Sequence, residues 1–585
     1  MNVVQSDILL FLKNNEFNNQ REMAGKLNYS LGLINKELRV LEKNGFIGKE
    51  KKITNKAELI IKNKSPKRAI ILAAGICTRM VPINTSIPKA LLNVNGDIII
   101  EKQINYLNSV GISEIYVVVG YMKEKFEYLI DKFNIKLIVN PLYNVRNNYY
   151  SLYLLKEKLN NCYIIPSDIV MHSNPFSNFE LYSWYMLANE HDINSNVKIN
   201  RNREILKSRN NCIKMIGIAY ITSDTAKIIK NNLDKLFFNV VLDAFWEKSL
   251  ESGNKYIVKA KISKSSDYYE INSYEDLRNI DSKCIELEHQ AINIICESLN
   301  VLPNDIVNIK SLKKGMTNKS FSFQINDCKY IMRIPGAGTD KLISRKNEYN
   351  VYSVLKDKNI TDDIIYINSV NGFKLTKYID NARTCDSNNL NDLKLCIDFL
   401  RKFHNMNLKV EHEFDLFNNI NFYESLWNGK QSDYADYITT KKNVLSLREY
   451  VSKNIDGKCL CHMDSVADNF LIYKDKNGKD MVRLIDFEYA GMQDPHVDIA
   501  MFCIYSLYNR NEIDRLIDIY FLNECPLNIR IKIYCYIAIC GLLWSNWCEY
   551  KRIMGIEFGE YSLMQYRYAK EYYKIAIKEM EKINE

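Results

Sequence analysis

Apolar residues recur at helical spacing from the start of the chain. In "SDILLFLKNN", Ile8, Leu9, Phe11 and Leu12 share one helical face, with Ser6 as a candidate N-cap. "NQREMAGKL" predicts a second short helix. "SLGLINKELRVLEKNG" predicts a third, with Leu33, Ile34, Leu38 and Leu41 on its apolar face and Gly45 as its stop. "FIGKEKKIT" then predicts a short basic hairpin, and the polar, proline-bearing "KNKSPKRA" ends this first segment, residues 1–63. Beyond it the pattern changes to short apolar runs at 69–73, 115–119, 136–139 and 163–165, alternating with helical stretches such as 99–110. That alternation predicts a mostly parallel, doubly wound α/β sheet over residues 66–283. Residues 284–585 open with strands and a glycine turn, and after Asp386 the pattern is mostly helical. The fold class expected is therefore multidomain, α/β followed by α+β.

The bulk numbers constrain this picture without changing it. A chain of 585 residues is too long for one core, so roughly three or four domains are expected. A hydrophobic share of 47% with 25% charged residues excludes a disordered or fibrous chain. The longest apolar runs, such as 116–120, read as strand-sized, which predicts no membrane insertion. The 15 cysteines show no paired spacing, so neither a zinc site nor a disulfide framework is indicated. With no signal-peptide pattern at the N-terminus, this usage fits a cytoplasmic location. A net charge of +9 is compatible with nucleotide or nucleic-acid ligands and decides for neither.

Three helices and a basic hairpin resemble the winged helix-turn-helix family. The resemblance implies that residues 1–63 bind DNA through the third helix, with Asn35, Lys36, Arg39 and Lys43 exposed. A small helical module that binds protein fits the same pattern.

In "RAIILAAGICTRM" a buried strand ends in Ala73, Ala74 and Gly75. These residues are small enough for the backbone to approach a nucleotide, and the amides of the turn, at Thr78 and around it, can face phosphate oxygens. Arg79 and Lys89 add positive charge where a leaving pyrophosphate would build up negative charge. Cys77 stands where such loops often have glycine. With "PKALLNVNG", "VVVGYMKEKFEYL", "NPLYNVRNNYYSLYLL" and "YYEINSYEDLRNI", residues 67–280 resemble the bacterial CTP:phosphocholine cytidylyltransferases. The resemblance implies CTP and phosphocholine as substrates and Mg²⁺ held by Asp168, Glu270 and residue 272. The last is Asn272 here, where the family leads one to expect Asp. Asp168 follows an apolar strand, at the end where open α/β sheets place ligands. A quaternary ammonium has no N–H, so it is recognised by aromatic faces and carboxylates. "VVLDAFWEKSL" offers Asp243, Trp246 and Glu247, and "RNNYYSLYLL" offers Tyr150. Phe245 and Trp246 read equally as a core edge, and aminoethylphosphonate cytidylyltransferases share the scaffold.

"CLCHMDSVADNFLIY" followed by "VRLIDFEYAG" sets Asp464, Asn469 and Asp486 at the spacing of kinase-like phosphotransferases. There Asp464 would take the proton of the attacking hydroxyl, and Asn469 and Asp486 would hold Mg²⁺ against ATP. His462 supports the loop, and Asp494 and Asp498 brace it. Upstream, Thr317 and Asn318 lie at a turn able to face phosphates, Arg333 supplies a strand cation, and Glu348 its helical partner. Arginine at 333 followed by "IPG" resembles bacterial choline kinases over residues 300–585, with aminoglycoside-type phosphotransferases as the alternative. The resemblance implies choline as acceptor, bound by Trp544 and Trp547 on one helical face and by Glu488. Core packing is the other reading of that tryptophan pair. A kinase making phosphocholine and a transferase consuming it would form one pathway to CDP-choline. A transferase for aminoethylphosphonate or phosphoethanolamine with a kinase for another alcohol remains open, as does a ligand-sensing DNA-binding regulator.

Overall fold

A computed structural model of the chain describes residues 1–312, 318–336, 339 and 342–584. It divides into two units, Met1–Asn293 with Ile309–Ser311, and Ile294–Asn308 with Leu312–Glu585. A helix, Gln290–Leu299, carries the chain from one to the other, some residues beyond the boundary near Lys283 that composition suggests.

The first unit begins with helices α1 (Val3–Asn14), α2 (Gln20–Leu27) and α3 (Leu31–Lys43). A hairpin closed by the single bridge Ile47–Ile53 follows, and then α4 (Asn55–Lys64). The cap of α1 is Asn2 and not Ser6: Asn2 accepts from the Gln5 amide while Gln5 reaches back to the Asn2 amide, a reciprocal pair that satisfies two orphan donors at once. Ser6 lies one turn inside and donates to the Asn2 carbonyl. Helix α4, in the "NKAELIIKNK" stretch, was not marked by an obvious apolar stripe. Its buried residues are only Ala57 and Ile61.

This helical cluster does not close its own core. Leu181 is buried in it, and Phe179 and Tyr182 pack against it, all three from the α/β portion. Burying one leucine contributes about 1.5–3 kcal/mol. Asp7 on α1 then accepts from Tyr29, from Tyr182 and from the Arg203 guanidinium at 2.6–3.0 Å. The first 64 residues and the α/β portion are thus one compact unit.

The α/β portion is built on β1 (Arg68–Ala73), β2 (Glu114–Val119), β3 (Lys136–Val139), β4 (Cys162–Pro166), β5 (Ile169–Met171), β6 (Trp184–His191), β7 (Val197–Ile199), β8 (Glu204–Lys207), β9 (Ile213–Ile221), β10 (Lys255–Ser263) and β11 (Tyr268–Glu270). Helix α5 (Ile99–Ser109) follows the first strand, and α6 (Asn148–Tyr153) precedes β4. The main sheet runs β3-β2-β1-β4-β9-β6-β10-β8-β7. Only the half β3-β2-β1-β4 is wholly parallel. From β4 onward the pairings are antiparallel, except β6 with β10. The expectation of a mostly parallel sheet therefore holds for half of it, because the strands from β4 to β9 are joined by non-helical loops, and the one later α-helix that joins sheet strands, Ser223–Phe238, lies between β9 and β10. Outside this sheet, β5 and β11 form a two-stranded antiparallel ribbon.

The second unit carries an antiparallel sheet containing β12 (Asn318–Ile325), β13 (Cys328–Pro335), β14 (Ile364–Ile367) and β15 (Lys374–Lys377), in the order β12-β13-β15-β14. Helix α7 (Arg345–Leu355) follows β13, and α8 (Leu390–Asn405) opens the helical part. Two strand pairs, β16 (Cys459–Cys461) with β19 (Gly491–Gln493) and β17 (Phe470–Lys474) with β18 (Asp480–Leu484), bracket the motif region. Helices α9 (His496–Tyr505), α10 (Leu527–Ile553) and α11 (Glu560–Asn584) complete it. By length and composition α10 could cross a membrane, which corrects the sequence expectation of strand-sized apolar runs, but 78% of its most apolar stretch is buried inside the protein. An all-round apolar helix is what the centre of a helical core requires. Gly541 lets α10 and α11 meet closely, since a Cβ there would lie 2.7 Å from the Gln565 carbonyl oxygen.

Candidate active sites

At the end of β1 the chain turns through Ala74, Gly75, Ile76 and Cys77. Ala73 and Ala74 are buried, whereas Gly75, Thr78 and Arg79 are exposed on the turn. The left-handed residue of this loop is Cys77, at φ 52° and ψ 55°. A non-glycine residue costs about 1–2 kcal/mol there. Asn84 opposes that cost by donating to the carbonyls of Ile76 and Cys77, at 3.3 and 3.2 Å. Gly120 supports the loop from below: a Cβ on it would lie 2.8 Å from the Ala74 carbonyl oxygen and 2.6 Å from Tyr143. Gly120→Ala is therefore expected to displace the loop and lower the turnover of this site at least tenfold, with a thermal melt of the whole chain showing whether the fold survives. In sequence Gly120 only ends an apolar run, and nothing local marks its contact with the loop.

Lys89 is buried, and its Nζ donates to Asp168 Oδ2 at 2.9 Å and to Asn272 Oδ1 at 3.0 Å. Asp168 lies in the turn between β4 and β5. Ribbon pairing of Ile169 with Glu270, and the Ile271 amide donating to the Asp168 carbonyl, bring residues about 100 apart in sequence to one place. Burial, followed by the charge on Asp168, pushes the Glu270 carboxyl up. Two carboxylates and an amide oxygen are thus gathered around one ammonium. Hard oxygen donors carrying unbalanced negative charge suit Mg²⁺, so the donor set fits the expected ion. Glu270 also lines a small cavity with Glu190, Lys214 and Tyr268.

Glu247 approaches the same carboxylates. Burial, then the charges of Asp168 and Glu270, push its pKa up to about 7. Its Oε1 accepts from Tyr185, and among the described residues its buried Oε2 has no hydrogen-bond partner. The rest of the predicted acid-and-aromatic cluster is dispersed. Trp246 is 1% exposed and packs against Tyr185 in the core, while Asp243 and Phe245 face solvent. Tyr150 on α6 is stacked with Tyr153 and Phe237 beneath Arg146. The alternation of apolar and polar positions does not separate a core tryptophan from a ligand-facing one.

In the second unit Arg333 on β13 is buried and pairs with Glu348 on α7, as expected. It also reaches Asp486 at 3.5 Å and the Gly372 carbonyl at 3.1 Å. Burial alone would raise the Glu348 carboxyl, but Arg333 holds it below the usual range. Sequence reading missed Arg345, which donates to Glu348 at 3.1 Å and to the Thr339 hydroxyl at 3.0 Å and lies 3.7 Å from Glu488. Asn318 donates to Glu488 at 2.7 Å, so the turn after Thr317 is tied to the residue two past Asp486. Gly315 and Thr317 lie outside the described residues.

The motif loop follows β16. Asp498 accepts from the His462 and Met463 amides and from His404, which holds Met463 at φ 65°. His462 donates from Nε2 to the Ile485 carbonyl and accepts the Asp464 amide at Nδ1, so it braces the loop. Asp494, buried, pairs with Lys532 at 2.6 Å. Asn469 donates to the Asp464 carbonyl and carboxylate, and the β17–β18 hairpin returns the chain so that the Ile485 amide reaches the Asn469 carbonyl. Asp486 follows at φ 68°. Burial, then the charge on Asp486, push the Asp464 carboxyl well up, and Tyr505 hydrogen-bonds to it. The charge on Asp486 adds to the cost of ionising Asp464, which a bound cation would relieve, so this donor set also fits Mg²⁺. Trp544 and Trp547 are buried on α10, with Trp544 5.4 Å from Tyr505 and 5.8 Å from Tyr489 by ring centroid.

Residues 309–519 match the family model for choline/ethanolamine kinase, and residues 69–174 match that for the MobA-like NTP transferase domain. The choline-phosphate cytidylyltransferase of Streptococcus pneumoniae is 33% identical over 230 residues, which is 37% of this chain and 96% of that protein. The 2-aminoethylphosphonate cytidylyltransferase of Lancefieldella rimae is 33% identical over 177 residues, 28% of this chain and 71% of that one. Protein LicA of Haemophilus influenzae is 28% identical over 263 residues, 42% of this chain and 95% of LicA.

Proposed function

This chain belongs to the choline-phosphate cytidylyltransferase family and carries a second domain of choline/ethanolamine kinase type, and from that premise we propose that it makes CDP-choline in two steps. In the first, choline and ATP give phosphocholine and ADP. In the second, phosphocholine and CTP give CDP-choline and pyrophosphate. The observation that carries the reading is the pairing itself, because the product of one gathered site is the substrate of the other.

In the kinase step the choline hydroxyl attacks the γ-phosphorus and its proton passes to Asp464. Arg333, held by Glu348, would steady the nucleotide phosphates with Asn318 and Thr317, and Asn469 and Asp486 would hold Mg²⁺. In the transfer step a phosphocholine oxygen attacks the α-phosphorus of CTP. Lys89 and Arg79 stabilise the charge that develops on the leaving pyrophosphate. Asp168, Glu270 and Asn272 would hold Mg²⁺, with Asn272 giving one charge less than Asp. The turn 73–78 would receive the nucleotide. In both sites the ion, when bound, offsets phosphate charge.

The substrate's ammonium would face Glu247, with Asp243 and Tyr150 as further contacts and Trp246 supporting Glu247 from the core behind it. Glu247 is mostly neutral below pH 7 and a carboxylate above it, so KM for phosphocholine is expected to fall as pH rises through about 7. Steady-state kinetics from pH 6 to 8.5 check this. Glu247→Gln should flatten the profile, which separates it from titration of the substrate's own phosphate.

Phosphorus NMR of the whole chain with ATP, CTP, Mg²⁺ and choline tests the pathway. CDP-choline is the expected product, and no phosphorus transfer at all would sink the reading. The similarity to a 2-aminoethylphosphonate enzyme motivates a second arm, in which that phosphonate replaces choline. Faster CMP transfer to it than to phosphocholine would reassign the first unit. We assign α1–α4 and the Ile47–Ile53 hairpin to the winged-helix class, with DNA as the partner, because Lys36, Arg39 and Lys43 on α3 are all exposed. A mobility-shift assay with the chain's own genomic flanking DNA would test it, and salt-independent or absent binding would overturn it.

A further inference from the structure

Asp486 is clamped along the backbone from both sides. Ahead of it, the Ile485 amide donates to the Asn469 carbonyl, and the Ile485 carbonyl accepts from His462. Behind it, the Phe487 amide donates to the Tyr352 hydroxyl at 3.3 Å. Between these two anchors Asp486 adopts a left-handed conformation, at φ 68°. Such a conformation is uncommon for a residue with a side chain and persists where its surroundings fix it. The peptide between Asp486 and Phe487 sets where the carboxylate is presented, so the bond to Tyr352 belongs to the geometry of the site.

Tyr352 is itself held by a charge. It lies one turn beyond Glu348 on α7, buried, with its ring edge-on to Phe487 at 6.0 Å. Lys374 on β15 is also buried, and its Nζ donates to the Tyr352 hydroxyl at 2.6 Å. Lys374 stands directly opposite Arg333 across the sheet. Two cations on neighbouring strands thus meet two partners one helical turn apart, Arg333 with Glu348 and Lys374 with Tyr352. Burial alone would lower the Lys374 pKa, but Asp362 and Tyr352 raise it above the usual range, so the ammonium stays charged. A phenol oxygen can accept from two donors at once, and an ammonium on one side pins it beside the Phe487 amide on the other. An apolar side chain of the same length would fill the place without the cost of burying a charge.

We propose that Lys374 is a positioning residue of the kinase site: acting through the Tyr352 hydroxyl, it fixes the peptide after Asp486 and thereby sets how well that carboxylate takes up Mg²⁺. This rests on the choline-kinase reading of the second unit. The path runs from the Lys374 ammonium to the Tyr352 oxygen, to the Phe487 amide and so to Asp486. Its loss acts first on the metal: the Mg²⁺ requirement rises while the affinity for choline holds. A lysine that only packed between sheet and helix would, when removed, loosen both of them instead.

The test uses two variants of the whole chain. Tyr352→Phe keeps the ring against Phe487 and removes the hydroxyl; Lys374→Met keeps the stem and removes the charge. In each, the Mg²⁺ concentration giving half-maximal choline phosphorylation is expected to rise at least fivefold, with KM for choline changing less than twofold. The double variant should match Tyr352→Phe alone within twofold, since Lys374 acts through that hydroxyl. Hydrogen exchange read by mass spectrometry, without metal or substrate, supplies a second measurement. Peptides containing the Phe487 amide should exchange at least tenfold faster in both variants, and those of α7 and β13 at the unsubstituted rate. If the unsubstituted protein does not phosphorylate choline, the kinase reading fails and takes this inference with it. If it does, only the inference is overturned by an unchanged Mg²⁺ requirement, by losses that multiply in the double variant, or by exchange that speeds up across α7 and β13 alike.

Discussion

Asp464→Asn is expected to lower kcat for choline phosphorylation about a thousandfold, the range a positioned general base supplies, while cytidylyl transfer from added phosphocholine changes less than twofold. The substitution is nearly isosteric. An amide oxygen can still accept from Asn469, and the loop keeps its brace from Asp498 and His462, so the loss would report chemistry more than folding. The carboxyl is hard to ionise in the free protein because it is buried and faces Asp486. Both charges that arrive with substrates, the metal ion and the acceptor's ammonium, favour its ionised form. kcat/KM for choline should therefore rise with pH until Asp464 is ionised, and the residual rate of the variant should lack that limb. ADP release and phosphocholine formation, measured separately, distinguish a lost acceptor reaction from futile ATP hydrolysis.

The kinase motif was legible because its parts lie close in sequence. One hairpin is enough to bring Asp486 back to Asn469, and the spacing records that hairpin. The transferase carboxylates were legible only through resemblance, since Asp168 and Glu270 meet through a two-stranded ribbon that no local pattern announces. Arg345 meets Glu348 at i, i+3 on its own helix, but only the tertiary fold brings it to Glu488. Phe179, Leu181 and Tyr182 read as part of the α/β portion, and their role in completing the core around α1–α4 depends on contacts more than 100 residues away. The antiparallel half of the sheet was missed because short strands have the same apolar pattern whichever way the neighbour runs.

Lys89→Met should have the other large effect, lowering kcat for cytidylyl transfer roughly a hundred- to thousandfold, about 3–4 kcal/mol of transition-state stabilisation. Its ammonium is buried, so the charge is not shared with water, and it is fixed by Asp168 and Asn272 before substrate arrives. A pre-placed cation in a dry site is where developing negative charge gains most. The same geometry makes a second, opposite expectation. Lys89 neutralises part of the field of Asp168 and Glu270, and without it that field is open to a divalent ion. The Mg²⁺ concentration giving half-maximal rate should therefore fall in the variant even as the rate itself collapses. A variant that lost activity by local unfolding would need more Mg²⁺ or would not respond to it. Asn272→Asp is the complementary change, restoring a third carboxylate beside Lys89. It should tighten Mg²⁺ dependence without costing rate, and a rate that falls instead would mean that Asn272 is matched to Lys89 and is no defect of the site.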